Sequence, residues 1–137
     1  MKQFKLTIQS KGRGYYLITD QINNAIKAHL KGVEVGLLHI FLQHSSASIT
    51  INENADPTVR VDFKNFEEKL VPRNFHFKHN YEGDDDMPAH IKSSLFGCEL
   101  SIPITNERLN LGTWQGIYLC EHRDLAHLRN LILTVSF

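Results

Sequence analysis

Apolar and polar positions alternate over Phe4, Leu6 and Ile8, and an apolar run returns from Tyr15 to Ile18 after Gly12-Arg13-Gly14. A period of two with a glycine turn between predicts two strands joined as a hairpin. Ile22, Ile26 and Leu30 then recur every four residues, which predicts a helix capped by Thr19 or Asp20 and ended near Gly32. The stretches 36–43 and 48–53 read as strands. The first is apolar at consecutive positions, as in a central strand buried on both faces.

Asp56-Pro57 predicts a helix start, because the Asp oxygen accepts free backbone N–H groups while Pro fills the first turn, where it loses no bond. Val59, Phe63, Phe66 and Leu70 mark its predicted buried face, and Pro72 closes it. A shorter helix spans about 87–96, with Ile91 and Leu95 inward and Gly97 ending it. Three strands follow near 99–104, 114–121 and 129–136. The predicted order is ββαββααβββ, an α+β domain of mostly antiparallel, sandwich-like sheets with two to three helices. Parallel pairs would need a crossover helix between each pair of strands.

At 137 residues the chain has the length of one domain, with no linker or repeat to divide it. The 15 Lys plus Arg balance 15 Asp plus Glu, so no broad field favours nucleic acid or an anionic membrane. No apolar stretch approaches the roughly 20 residues of a membrane span. Met1 to Ser10 lacks a signal-peptide core, and two distant cysteines suit neither a disulfide framework nor a CxxC site. A cytoplasmic protein is expected.

Polar residues that the core does not need fall in three segments. His44-Ser45-Ser46 ends an apolar strand in an imidazole and hydroxyls, and Asn52, Glu53 and Asp56 follow it; a strand-to-turn transition and a helix cap are the plainer accounts. His79 to His90 holds two imidazoles and the carboxylates of Glu82, Asp84, Asp85 and Asp86. Such groups bind divalent cations or exchange protons near neutrality, although the Asp run also suits a helix start. His90 and Lys92 sit where a helix N-terminus would meet a phosphate. Gly112-Thr113-Trp114-Gln115-Gly116 permits close backbone approach to a ligand. Glu121 shares an apolar strand face and needs a partner, with Arg123 the local candidate or a ligand the other.

The blocks HSSASITINENADPTVRVDF, HNYEGDDDMPAHIKSSLFG and LGTWQGIYLCEHR resemble the YjbQ family, also described as secondary thiamine-phosphate synthase-like, over about residues 4 to 136. The resemblance implies an α+β fold that trimerises through orthogonally packed sheets, with polar motifs near subunit boundaries. Family motif positions fall on His44, Ser45, Ser46, Asn52, Glu53, Asp56, His79, Glu82, Gly83, His90, Gly112, Trp114, Gln115 and Glu121. The chain departs from the pattern at Asp86, Glu99 and Glu107.

The activity that the resemblance implies joins hydroxymethylpyrimidine diphosphate to a thiazole phosphate and releases pyrophosphate. Its needs are cations for the leaving group, ordered rings and exclusion of water. Mg²⁺ or Zn²⁺ on His44, His79, Glu82, Asp84, Asp85 and His90 is the expected metal centre. Ser45, Ser46, Asn52, Asp56, Lys92, Trp114, Gln115 and Arg123 are the expected contacts to a small phosphorylated metabolite, with Arg60 a further phosphate contact, and His44, His90 and Glu121 the catalytic groups. Two other readings stand beside the synthase: a non-catalytic homotrimer that binds a metal or phosphometabolite, and a metal-dependent hydrolase with Glu121 as base.

Overall fold

The computed structural model describes residues 1–137. Eight strands and three α-helices follow in the order β1 (Lys2–Gln9), β2 (Gly14–Leu17), α1 (Thr19–Ile26), β3 (Val35–Leu42), β4 (Ala47–Glu53), α2 (Pro57–Leu70), α3 (Asp86–Phe96), β5 (Glu99–Thr105), β6 (Arg108–Leu109), β7 (Gln115–Glu121) and β8 (Leu128–Ser136). Two antiparallel sheets result, β1-β8-β3-β5-β6 and β2-β7-β4. The α+β class and strand order match expectation, with the two-residue β6 added.

β1 and β2 do not form the predicted hairpin. β1 runs the length of β8, while β2 pairs with β7, so Gly12-Arg13-Gly14 carries the chain from one sheet to the other. Gly12 is required there: its φ is +109°, and a Cβ would stand 2.6 Å from the Asp124 carbonyl oxygen. Thr19 does not cap α1 either, because its hydroxyl accepts the Ile117 N–H at 2.9 Å. Asp56 does cap α2, accepting the Thr58 N–H at 2.9 Å.

β3 is central in its sheet, as its composition predicts, but only one of its faces is covered. Leu38, Ile40 and Leu42 are buried, while Leu37 and Phe41 are 50% and 41% exposed. The core joins that inner row to Ile22 and Ile26 of α1, Ile49 of β4, Leu119 of β7 and Leu133 of β8. Each full burial is worth about 1.5–3 kcal/mol.

Neither α2 nor α3 buries the predicted apolar stripe. Phe66 and Leu70 are 65% and 52% exposed, Leu95 is exposed, and the one buried residue of α2 is Glu67. Polar contacts anchor α2 instead. Glu67 accepts from the Tyr15 hydroxyl at 2.8 Å and from Arg13 at 3.3 Å, with Lys92 Nζ and His122 Nδ1 at 3.8 and 3.9 Å. Buried Lys92 also reaches Glu68 at 3.3 Å, and His122 Nε2 bonds the Ser48 hydroxyl at 2.8 Å. Periodicity marks which helix positions share a face, and it cannot say which face the sheets leave room for.

Burial, reinforced by Lys92, Arg129 and Arg13, holds His122 neutral, its pKa pushed down to about 3. Unfolded His binds a proton below roughly pH 6.5, so between there and about pH 3 the unfolded chain carries the extra proton. Stability therefore falls as the solution is acidified through that window, by up to about 1.4 kcal/mol per pH unit from this residue. Urea unfolding from about pH 7 to about pH 4 should show a shallower loss for His122→Gln than for the parent chain. Equal slopes would remove His122 as the cause.

Candidate functional site

α3 begins at the charged segment 79–90, and its first residue, Asp86, is only 1% exposed. Asp86 Oδ1 accepts from Arg123 Nη1 at 2.8 Å, and Oδ2 lies 2.8 Å from His79 Nε2. One helical turn on, His90 Nε2 stands 3.4 Å from the same Oδ2. The rings of His79 and His90 are 5.4 Å apart, and the three potential ligand atoms lie within 4.8 Å of one another.

His90 has a fixed tautomer when neutral. Its Nδ1 is 2.7 Å from the Ser45 carbonyl oxygen, which can only accept, so Nδ1 carries the proton. Nε2 then presents a lone pair to the Asp86 carboxylate. A cation between these two acceptors would relieve their mutual repulsion. A backbone carbonyl orienting an imidazole in this way is also the usual support behind a metal-binding His.

Arg123 holds the cluster together. Beyond Asp86, its Nε donates to Asp85 Oδ2 at 3.0 Å and its Nη2 to the Glu82 carbonyl at 2.8 Å. Burial pushes the Asp85 carboxyl up, but the Asp124 N–H and Arg123 outweigh it and hold the group below the ordinary carboxylate range. Asp84, Asp85 and Asp124 form a second close carboxylate group. Arg73 lies on Asp124 at 2.7 Å and near Asp84 at 3.4 Å, so two guanidiniums already supply the charge an ion would bring there.

The expected metal set is therefore redrawn. His79 and His90 converge, Asp86 is the carboxylate between them, and Asp84 and Asp85 turn to arginines. The Glu82 side chain is exposed and 3.8 Å from Arg123. His44 stands outside the group, its Nε2 accepting the Asn130 N–H at 2.7 Å. Its loop nevertheless bears on the cluster. Ser45 holds His90, the Ser46 carbonyl accepts from Arg129 at 3.2 Å, and the Ala47 carbonyl from the Ser93 hydroxyl at 2.7 Å. The signal for Asp86 in the sequence was its i, i+4 spacing to His90 at a helix start.

Glu121 and Lys92 also differ from expectation. Glu121 is wholly buried, and Arg129, not Arg123, is its partner: Arg129 Nε donates at 2.8 Å to Oε1, where Ser10 Oγ also donates at 2.7 Å. Its other oxygen takes the second Arg129 contact and the Arg123 backbone N–H. No lone pair of Glu121 faces the histidines as a base would. Lys92 points into the α2 anchor, not toward the start of α3.

The three polar segments meet only in part within one chain: the 44–46 and 121–123 ends reach the histidine cluster, and the 52–56 and 112–116 ends do not. Register pairs Ala47 with Glu121 at one end of β4–β7 and Glu53 with Gln115 at the other, and seven residues of strand span roughly 20 Å. The histidine cluster lies at the Glu121 end. At the far end Asn52 accepts the Glu53 N–H, Gln115 accepts the Gly112 N–H and Asp56 caps α2, while Trp114 is exposed.

An antiparallel α+β domain with a His–Asp–His cluster at a helix start is thus defined, and comparisons agree on its kin. Residues 3–136 match the family described as UPF0047 protein YjbQ-like. The UPF0047 protein YjbQ of Escherichia coli O157:H7 is 50% identical over 134 residues, 98% of this chain and 96% of that one. Among solved structures, a YbjQ-like protein of unknown function from Sulfolobus solfataricus superposes with a TM-score of 0.84 at 25% identity, covering 99% of each chain. An uncharacterised YjbQ/UPF0047 protein from Clostridium acetobutylicum gives 0.83 at 36%, covering 98% of this chain and 99% of that one. The chain belongs to the YjbQ/UPF0047 family.

The buried Glu121–Arg129 pair makes a stability prediction. Arg129→Met alone leaves an uncompensated buried carboxylate and should cost about 3–5 kcal/mol, while adding Glu121→Leu should recover much of that loss. Urea unfolding of the two singles and the double checks it, and additive losses would disprove the coupling.

Proposed function

We propose that the chain is a metal-dependent enzyme in which His79, Asp86 and His90 hold one divalent ion for hydrolysis of a small phosphorylated molecule. The carrying observation is the convergence of two imidazoles and a buried carboxylate, with one imidazole oriented by a backbone carbonyl. Imidazole-rich sets suit Zn²⁺ and related ions better than Mg²⁺, and three protein ligands leave a coordination position for water or substrate. Bound there, such an ion would polarise water or a phosphoryl oxygen. The chain's own part is to fix the ligands: Ser45 sets the His90 tautomer, and Arg123 fixes Asp86 through Oδ1.

Synthase-type transfer fits less well. It needs several positive charges on a leaving diphosphate, and Arg73, Arg123 and Lys92 are already paired with Asp124, Asp85, Asp86, Glu67 and Glu68. The ion is then the principal attractor for a phosphoryl group.

Calorimetric titration with Zn²⁺ should give one site per chain, lost in His79→Ala, His90→Ala and Asp86→Asn. Arg123→Lys should weaken it about 10–100-fold, as supporting residues do. Zn²⁺-dependent release of phosphate from p-nitrophenyl phosphate should disappear in the same three variants. Undiminished Zn²⁺ binding in Asp86→Asn, or binding without turnover, would reject the hydrolase.

We also infer self-association as a trimer, supported by the uncovered apolar row Leu37 and Phe41 on β3. Sedimentation should give about three times the monomer mass, and Phe41→Glu a smaller species. A stable monomer of the parent chain at micromolar concentration would contradict this.

A further inference from the structure

A second cavity lies apart from the histidines, where α2 stands over the β2-β7-β4 sheet. It encloses about 360 Å³, inside the range of roughly 300–1,000 Å³ typical of small-molecule pockets. The cleft beside His79 encloses about 220 Å³, below that range. The anchoring of α2 through Glu67 explains the space: a polar group holds the helix, and Phe66 and Leu70 beside it stay exposed.

The lining specifies an occupant. Phe63, Phe66 and Leu70 of α2 and Phe96 of α3 supply flat apolar surface, with Tyr15 stacked on Phe63 at a centroid distance of 5.4 Å. The charged groups beneath are balanced, since Arg13 and Lys92 each lie within 4 Å of Glu67 and Glu68. No net charge is left for an ionic ligand.

Hydrogen-bonding capacity is left over. Asn52 and Thr50 line the cavity; Asn52 uses only its carbonyl oxygen, on the Glu53 N–H, so its amide N–H groups are free, and the Thr50 hydroxyl bonds no protein group. One more orphan sits close by. His122 Nδ1 is buried without a partner, 3.9 Å from Glu67 and in a ring packed 5.6 Å from Phe96, two residues that line the cavity.

We propose that this cavity is a second small-molecule site, for an uncharged planar ring that carries a hydrogen-bond acceptor such as a carbonyl. The ring lies among Phe63, Phe66 and Phe96, and the acceptor takes the Asn52 amide or Thr50 hydroxyl. The site is independent of any metal at His79 and His90.

The test is an ¹H–¹⁵N titration of the full chain with benzamide, against benzoate, benzylamine and cyclohexanecarboxamide as charged and non-planar controls. Benzamide should give saturable shifts at Thr50, Asn52 and Cys120 with a Kd near the millimolar range expected of so small a probe. Each control should bind about tenfold more weakly, and so should benzamide to Phe66→Ala or to Asn52→Leu with Thr50→Val. These side chains are exposed or partly so, and the variants are expected to fold. Equal binding of benzoate, shifts confined to His79 and His90, or no saturation by about 20 mM would overturn the proposal. So would a Phe66→Glu variant that splits an oligomer whose parent binds no probe, because a second copy of the chain would then cover the cavity.

Discussion

Three consecutive side chains at the end of β7 tie the structure together. Glu121 engages Arg129 and Ser10, His122 joins Ser48 beside Glu67, and Arg123 gathers Asp85, Asp86 and the Glu82 carbonyl. Strand geometry makes this possible, because successive residues point to opposite faces. One strand end thereby joins the β1–β8 edge, the underside of α2 and the start of α3. Apolar contacts alone would not fix the two helices, since neither α2 nor α3 adds a side chain to the large core.

Burying so much charge weakens the case for these pairs as sources of net stability. Removing ions from water costs several kcal/mol each, which mutual attraction offsets only when geometry and further hydrogen bonds are complete. Here they are nearly complete, with unpartnered nitrogens at His122 and Arg60 the exceptions. The arrangement gains specificity: α2 can seat only where Glu67 meets Arg13, Tyr15 and Lys92 together. The same rule leaves its aromatic face beside an open cavity.

Legibility in the sequence followed the range of each interaction. Local signals were sound: the Asp56-Pro57 helix start, the glycine after α3 and the central position of β3 all follow from residues within a turn or strand of each other. Long-range choices were not readable. Gly12 and Gly14 announce a turn without saying whether the chain reverses or changes sheets, and nothing local ranks Arg129 over Arg123 as the partner of Glu121. Within the site, a run of three aspartates hides which one faces the histidines. Burial decides it, because Asp86 alone of the three enters between His79 and His90 while Asp84 and Asp85 meet arginines.

The double duty of Asp86 bears on the chemistry proposed for it. Arg123 draws negative charge toward Oδ1, which makes Oδ2 a weaker donor than a carboxylate free in water. A bound ion would then keep more of its own charge and act more strongly on a water or phosphoryl oxygen in its open position. The Ser45 carbonyl acts in the opposite sense on His90, because accepting from Nδ1 turns the Nε2 lone pair toward any ion bound there. In the proposed site Asp86 would thus leave a bound ion electrophilic and His90 would retain it, and both adjustments would come from groups that the fold has already fixed.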